Sequence, residues 1–328
     1  MLTTFYATLN PMLVLFICII IGFTLGKLKL VPDNASTTVA KLETWVFCPA
    51  LSFMTMAKYC TPNTIKEHAV NIVISTIFIA LAMVIAIAIA RVMIKKNAEE
   101  RGIYTYALTF GNYGYMGDPL VQEILCDAML AQYKLFCLPV SLLTYLWGVG
   151  LLIPKGKGKA GFLKSVFNPP TVAMLIGMLV GFLGISDSMP TLVTGTLSSL
   201  SACMGPLAML LVGLTVSSYD VKKMLMNTKV YIATALRLIV LPILLVAIVI
   251  GLASAIELIF PIEISNSVFI FAFIAAATPL GLNTIVFPKA YGADSSTGAS
   301  MAIISHTLSV VTIPLLYALL GLVLKAIG

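Results

Sequence analysis

Two stretches of otherwise apolar sequence hold residues that a continuous helix would not choose. The first, Gly111-Asn112-Tyr113-Gly114-Tyr115-Met116-Gly117-Asp118-Pro119, combines three glycines with a proline, an amide and a carboxylate. The second, Thr278-Pro279-Leu280-Gly281-Leu282-Asn283-Thr284, repeats the device. Glycine can end a helix in a left-handed turn, and Asp118 followed by Pro119 suits the cap and first position of the next one, so each stretch reads as two half-helices meeting at a break. A break frees backbone N–H and C=O groups, which at membrane depth is tolerated only where protein or a water-filled cavity satisfies them. The N-terminus of each second half-helix offers partial positive charge and N–H groups to a carboxylate. The amides of Asn112 and Asn283 add neutral donors, which hold an anion without burying a permanent charge. The substrate-binding set expected on this basis is Gly111, Asn112, Gly114, Asp118, Pro119, Pro279, Gly281, Asn283 and Thr284.

Three further polar residues are candidates for coupling to an ion gradient. Asp118 can serve as a helix cap or carry a proton or sodium ion. Arg237, in the apolar run Ala-Leu-Arg-Leu-Ile-Val-Leu-Pro242, needs a partner or an aqueous path: it either snorkels to the cytoplasmic end or meets the substrate or Asp118. His306, in Ser305-His306-Thr307, is either a proton relay or a hydrogen-bonded packing residue. Glu43, Gln122, Glu123 and Asp127 fall near expected helix ends and read as solvated or capping groups.

These residues sit in a chain of 328 residues that is 60% hydrophobic and 10% charged, against about 45–50% and about 25% in a soluble domain. At roughly 20 residues per spanning helix there is room for about ten spans. Apolar runs place them near 9–30, 36–57, 68–93, 101–128, 133–153, 167–185, 190–216, 229–256, 266–292 and 297–326. The fold expected is therefore an all-α membrane protein in which spans four and nine are broken. No Lys or Arg precedes Lys27, so the first apolar run lacks the basic front of a cleavable signal peptide and reads as retained. Basic residues concentrate on alternate connections: Lys27, Lys29 and Lys41; Arg91, Lys95, Lys96 and Arg101; Lys155, Lys157, Lys159 and Lys164; Lys222, Lys223 and Lys229; and Lys289. The other connections and the termini hold Lys58, Lys66, Lys134 and Lys325. Because basic loops favour the cytoplasm, this predicts a multi-pass protein of the cell membrane with an even number of spans and both termini outside.

Five crossings invert the second half relative to the first, and matching landmarks support such a repeat. Pro11, Pro49 and Pro119 pair with Pro170, Pro206 and Pro279 at offsets of 159, 157 and 160, and Gly22-Phe23 pairs with Gly181-Phe182. Residues 1–160 then form the first repeat and 161–328 the second, and breaks in corresponding positions of two such halves point to a transporter's substrate site.

The run Gly111-Asn112-x-Gly114-x-x-Gly117-x-Pro119-Leu120 resembles the fourth-helix signature of the auxin efflux carrier family, which contains plant PIN carriers and bacterial malate or malonate permeases. Asn283-Thr284, Tyr291-Gly292-x-Asp294, Thr307-Leu308-Ser309 and Thr312-x-Pro314 are similar to that family's ninth and tenth helices. The resemblance implies ten helices in two inverted repeats, scaffold and transport domains each built from both repeats, crossing broken helices, and a homodimer. It also implies elevator-type movement of small organic anions, carboxylates such as malate or auxin-like acids. The chain departs from PIN carriers in lacking their long hydrophilic loop between spans five and six.

Other classes find less support. The six cysteines show no CxxC spacing, and two histidines are too few for a His-rich metal site, so neither metal nor cofactor is expected. There is no P-loop to bind ATP, and in this setting the net charge of +7 marks loops rather than nucleic-acid binding. An intramembrane aspartyl protease would need a dyad, but Gly114-Tyr-Met-Gly-Asp118 is one residue too long and Tyr219-Asp220 falls in a basic loop. A sodium-coupled bile-acid-type symporter remains the first alternative, separable by sodium dependence. A membrane-embedded enzyme or sensor is the second, separable by hydrolysis or signalling without flux.

Overall fold

The computed structural model of the chain describes residues 2–125, 127–153, 167–261 and 263–327, and every regular element among them is helical. The principal helices are α1 (Leu2–Lys27), α2 (35–59), α3 (Ala69–Met93), α4 (Ala98–Thr109), α5 (Gly117–Ile124), α6 (Asp127–Phe136), α7 (Leu138–Leu151), α8 (Pro169–Phe182), α9 (Thr191–Ser217), α10 (Thr228–Ile259), α11 (Ser267–Ala277), α12 (Asn283–Ala290) and α13 (Ser296–Ile327). Lys155, Lys157, Lys159 and Lys164 lie outside the described residues.

Local sequence explains where these helices start. Asn97 Oδ1 accepts from the Glu99 and Glu100 N–H groups to open α4, and Asn168 Oδ1 accepts from Thr171 N–H ahead of Pro169 and Pro170 to open α8. Asp220 caps the short turn Val221–Leu225, which gives it a structural task in an exposed loop. Both expected interruptions are present: α4 stops at Thr109 and α5 begins at Gly117, while α11 stops at Ala277 and α12 begins at Asn283.

Among the described residues four helices can cross a membrane by length and composition: Ala69–Met93, Thr191–Ser217, Thr228–Ile259 and Ser296–Ala326. Met129–Phe136 and Leu138–Leu151, bent by 45° where Pro139 enters α7, make a fifth if they act as one span. The exterior is largely apolar, with Ile176, Leu179 and Phe182 of α8, Ile243 of α10 and Leu315 of α13 exposed, while Asn112, Asn283, Thr278, Ser305 and Arg237 are turned inward. That is the distribution a lipid solvent imposes, since lipid offers nothing to a polar group.

With no hydrophobic effect between helices in lipid, close approach depends on small residues. A Cβ on Gly22 of α1 would strike the Leu210 backbone of α9, and one on Gly213 of α9 would strike Ile19 and Phe23 of α1. Gly177 and Gly181 of α8 lie as closely on the carbonyls of Phe53, Met56, Ala57 and Cys60 in α2. Shifted by the sequence offset of 157–160, α1 falls on α8 and α2 on α9, so one packed pair repeats the other. Replacing Gly22 or Gly213 with leucine should destabilise the detergent-solubilised protein by about 1–3 kcal/mol through overpacking. Leucine at Gly195 or Gly251, where a Cβ meets open space, should leave the melting temperature unchanged within a degree or two.

Candidate functional site

The two interrupted segments cross each other. Gly111 and Leu280 form an antiparallel bridge, and Asn112 N–H donates to the Pro279 carbonyl at 2.8 Å. A Cβ at Gly111 would overlap Arg237 Nη2 and Thr278, and one at Gly281 would lie 3.0 Å from the Phe110 carbonyl, so the crossing requires glycine on both strands. Helices α4 and α11 end here, and α5 and α12 start here.

The ends present carbonyl groups without intrahelical donors, and Arg237 supplies the donors. It projects from a π-helical turn, Leu236–Val240, and is 1% exposed. Its Nη1 donates to Leu108 O (3.1 Å) and Thr109 O (3.3 Å), Nη2 to Ala275 O (2.8 Å) and Nε to Thr278 O (3.3 Å). One planar, multi-donor cation thus caps two helix C-termini, where the helix dipoles favour positive charge. Arg237 is turned inward rather than snorkelling, and Asp118 pairs instead with Lys134 Nζ. Two sets of orphan carbonyls facing each other in an apolar interior outbid a distant carboxylate.

On the starting side, α5 is already winding at Asn112, whose carbonyl accepts from Met116 N–H (3.1 Å) and Gly117 N–H (3.2 Å). Asp118 is consequently not the cap. Met116 holds that position without a side-chain bond, and Asp118 sits in the first turn with Pro119, whose side chain lies outside the described residues. Because the preceding loop is itself a helical turn, the N–H groups left without a protein acceptor, among the described residues, belong to Tyr113, Gly114 and Tyr115. At α12, Thr284 N–H donates to Gly281 O and Ile285 N–H to Leu282 O, and Leu280 N–H donates to Ser305 Oγ at 3.2 Å. Gly281 N–H faces the Phe110 carbonyl across the bridge, and Leu282 keeps an unaccepted N–H group. Thr284 turns its hydroxyl back onto Gly281 O at 2.8 Å.

The asparagines brace the crossing from either side. His306 Nδ1 lies 2.8 Å from the Ala302 carbonyl, which can only accept, so the proton is on Nδ1 and Nε2 is an acceptor. Asn112 Nδ2 therefore donates to His306 Nε2 at 3.2 Å, and Asn112 Oδ1 is the atom left free. His306 thereby orients the Asn112 amide. Asn283 Nδ2 donates to Tyr106 OH at 2.7 Å, and its Oδ1 is likewise unpartnered.

Beside the crossing is a cavity of about 60 Å³, room for a few waters. Five buried side-chain atoms with no hydrogen-bond partner belong to residues lining it: Ser52 Oγ, Asn112 Oδ1, Tyr115 OH, Asp118 Oδ1 and Asn283 Oδ1. Of the residues expected from sequence, Gly111, Asn112, Gly114, Asp118, Gly281 and Asn283 line the cavity, whereas Pro279, Thr284, Arg237 and His306 stand behind it. Lys134, Tyr106 and Tyr115 also line it and were missed. Lys134 reads as an outer-loop charge in the sequence but is only 13% exposed at its side chain. A carboxylate at membrane depth demands a cation, and that demand was the available signal.

A family model described as membrane transport protein, that of the auxin efflux carriers, matches residues 7–159 and 158–317. The chain belongs to this family. Across 94% of the chain and 97% of its relative, this auxin efflux carrier family member is 22% identical to an uncharacterized transporter of Methanocaldococcus jannaschii. It is 25% identical to an uncharacterized transporter of Methanothermobacter thermautotrophicus across 73% of the chain and 78% of that protein.

Two substitutions probe the brace. Arg237→Met leaves four carbonyls without their donor and should cost about 3–5 kcal/mol, read as a large drop in thermal stability, with Arg237→Lys recovering only part because an ammonium cannot reach both helix ends. Gly111→Ala should destabilise comparably, while Gly114→Ala, whose Cβ meets nothing within 4 Å, should not.

Proposed function

We propose that the protein is a secondary transporter of small organic anions, with carboxylates such as malate as the substrate class and the crossing of the two interrupted helices as the binding site. The observation that carries this reading is the pair of helix starts at Tyr113–Tyr115 and Leu282, whose unaccepted N–H groups belong to cavity-lining residues. Such groups attract an anion through direct hydrogen bonds and the helix dipole. The one ion pair at the cavity, Asp118 with Lys134, is self-neutralising, so the substrate meets dipoles rather than a fixed surplus of charge. A site of this kind can release its guest as well as hold it.

The closed cavity is too small for a dicarboxylate, so the cycle requires opening to each side in turn. The glycine-packed pairs α1 with α9 and α8 with α2 are suited to a static scaffold, against which α3 to α7 and α10 to α13 carry the site in an elevator movement. Ten spans in two inverted repeats, 1–160 and 161–328, are consistent with the paired breaks, the repeated glycine packing and the alternating basic loops. A second reading, sodium symport, draws on the three free oxygens at the cavity, Asn112 Oδ1, Asn283 Oδ1 and Asp118 Oδ1, which are hard ligands for a small cation.

In proteoliposomes, Gly114→Leu should fill the cavity without touching the backbone and reduce carboxylate uptake at least tenfold while the melting temperature stays near wild type. Asn112→Ala and Asn283→Ala should also abolish uptake. Full uptake by Gly114→Leu would remove this cavity from the route, and uptake that requires sodium would favour the second reading.

A further inference from the structure

Glu43 reads from the sequence as a solvated or capping group near a helix end, and the structure corrects this. It lies in the middle of α2, in the π-helical turn Glu43–Phe47, with 0% exposure. Neither Oε1 nor Oε2 has a hydrogen-bond partner. Asp118, the other inward-facing carboxylate discussed above, has Lys134; among the described residues Glu43 has no such neighbour. The turn packs on α8 and α9 within the proposed scaffold and on α12 across the boundary with the proposed moving unit. Helix α8 carries no titratable side chain, α9 carries only Cys203, which is exposed, and α12 carries only Lys289, whose ammonium sits 5.8 Å from the centre of the Tyr219 ring. On α2 itself Lys41 and Lys58 point outward, and the groups in electrostatic reach of Glu43 are the neutral Cys48 and Tyr115.

A carboxylate with neither cation nor donor in an apolar interior is costly, and a bound proton removes most of that cost. Glu43 also connects to the substrate cavity. The Tyr115 hydroxyl, unpartnered and buried, lines it, and Cys48 Sγ lies 3.2 Å from the hydroxyl of Tyr145, which lines it too.

We propose that Glu43 is the proton-binding site of the transport cycle, so that the anion is carried together with a proton. In the closed arrangement the proton is bonded to a Glu43 carboxylate oxygen. When α12 moves along α2 and water reaches the turn, the proton leaves to that water and the carboxylate is solvated. An anion in the cavity favours the protonated form because like charges in an apolar interior repel, and by reciprocity the proton favours the anion. No bond of the substrate is made or broken. The inference rests on the transporter reading, and the experiment separates the two.

The full-length protein is reconstituted, and malate uptake is measured with and without an inward proton gradient. For the wild type the gradient should accelerate uptake several-fold. For Glu43→Gln, which mimics the protonated side chain and should retain the wild-type melting temperature, the ratio should fall to about one. A ratio in Glu43→Gln equal to wild type would overturn the proposal. Infrared spectroscopy of the purified protein gives an independent readout that needs no substrate: at neutral pH the wild type should show the carbonyl stretch of a protonated carboxyl, sensitive to D2O and missing in Glu43→Gln. Absence of that band overturns the proton assignment even if malate is carried. Failure of both proteins to carry any carboxylate overturns the transporter reading, and the coupling with it.

Discussion

The structure turns on the four carbonyl groups held by Arg237. Interrupting a helix in an apolar interior leaves donors on one side and acceptors on the other, and the interior provides no water for either. Arg237 closes the acceptor side of both interruptions at once, because its planar fork spans two helix ends that an ammonium could not bridge. The donor side is left open toward the cavity. This division of labour gives the crossing its polarity: cation on the carbonyl face, bare N–H groups on the other. The guanidinium group is bonded to carbonyls, with 1% of the residue exposed. The attraction left at the cavity is dipolar and directional.

The neighbouring side chains hold that arrangement rigid while leaving acceptors unspent. The Ala302 carbonyl fixes the His306 tautomer, His306 fixes the Asn112 amide, and Tyr106 holds Asn283 from the opposite strand. Each asparagine bond consumes an amide donor and leaves the amide oxygen unpartnered. Buried polar groups are rarely left so, and the exceptions tend to mark a bound water, an ion or a function. Their concentration at one small cavity, together with the unaccepted N–H groups, means that whatever occupies it must both donate and accept. A hydrated carboxylate does so, and so does a carboxylic acid accompanied by water.

Much of this was legible in the sequence wherever the backbone itself was the subject. Glycine and proline declare where a helix cannot continue, and both interruptions fall where Gly111, Gly117, Pro119, Pro279 and Gly281 require them. Side-chain partnerships were not legible, because they depend on which helices meet. Asp118 looked like a cap since Asp-Pro is a common helix start, yet the loop before it winds early and frees the carboxylate to meet Lys134 across the α5–α6 reversal. Glu43 looked terminal because charge is expected at span ends, whereas a π-turn buries it midway along α2. Arg237 was recognisable as needing a partner, but backbone carbonyls are present in every helix and leave no mark in the sequence.

The offset that relates the two halves also shows what they do not share. Subtracting 159 from Arg237 reaches Phe78, a buried ring 5.8 Å from that of Phe136, so the first half supplies packing where the second supplies the brace. Adding 160 to Asp118 reaches Thr278, whose carbonyl is one of the four that Arg237 holds. Counterparts of Glu43 near residues 200–203 are Leu200, Ser201, Ala202 and Cys203, none of them a carboxylate. The backbone device is therefore duplicated and the charges are not. A symmetric pair of breaks lets two opposite openings have similar energy, which alternating access requires, while charges present once give the two openings different costs. What the two halves share is thus the glycines and prolines of the breaks, and what they do not share is Arg237, the Asp118–Lys134 pair and Glu43.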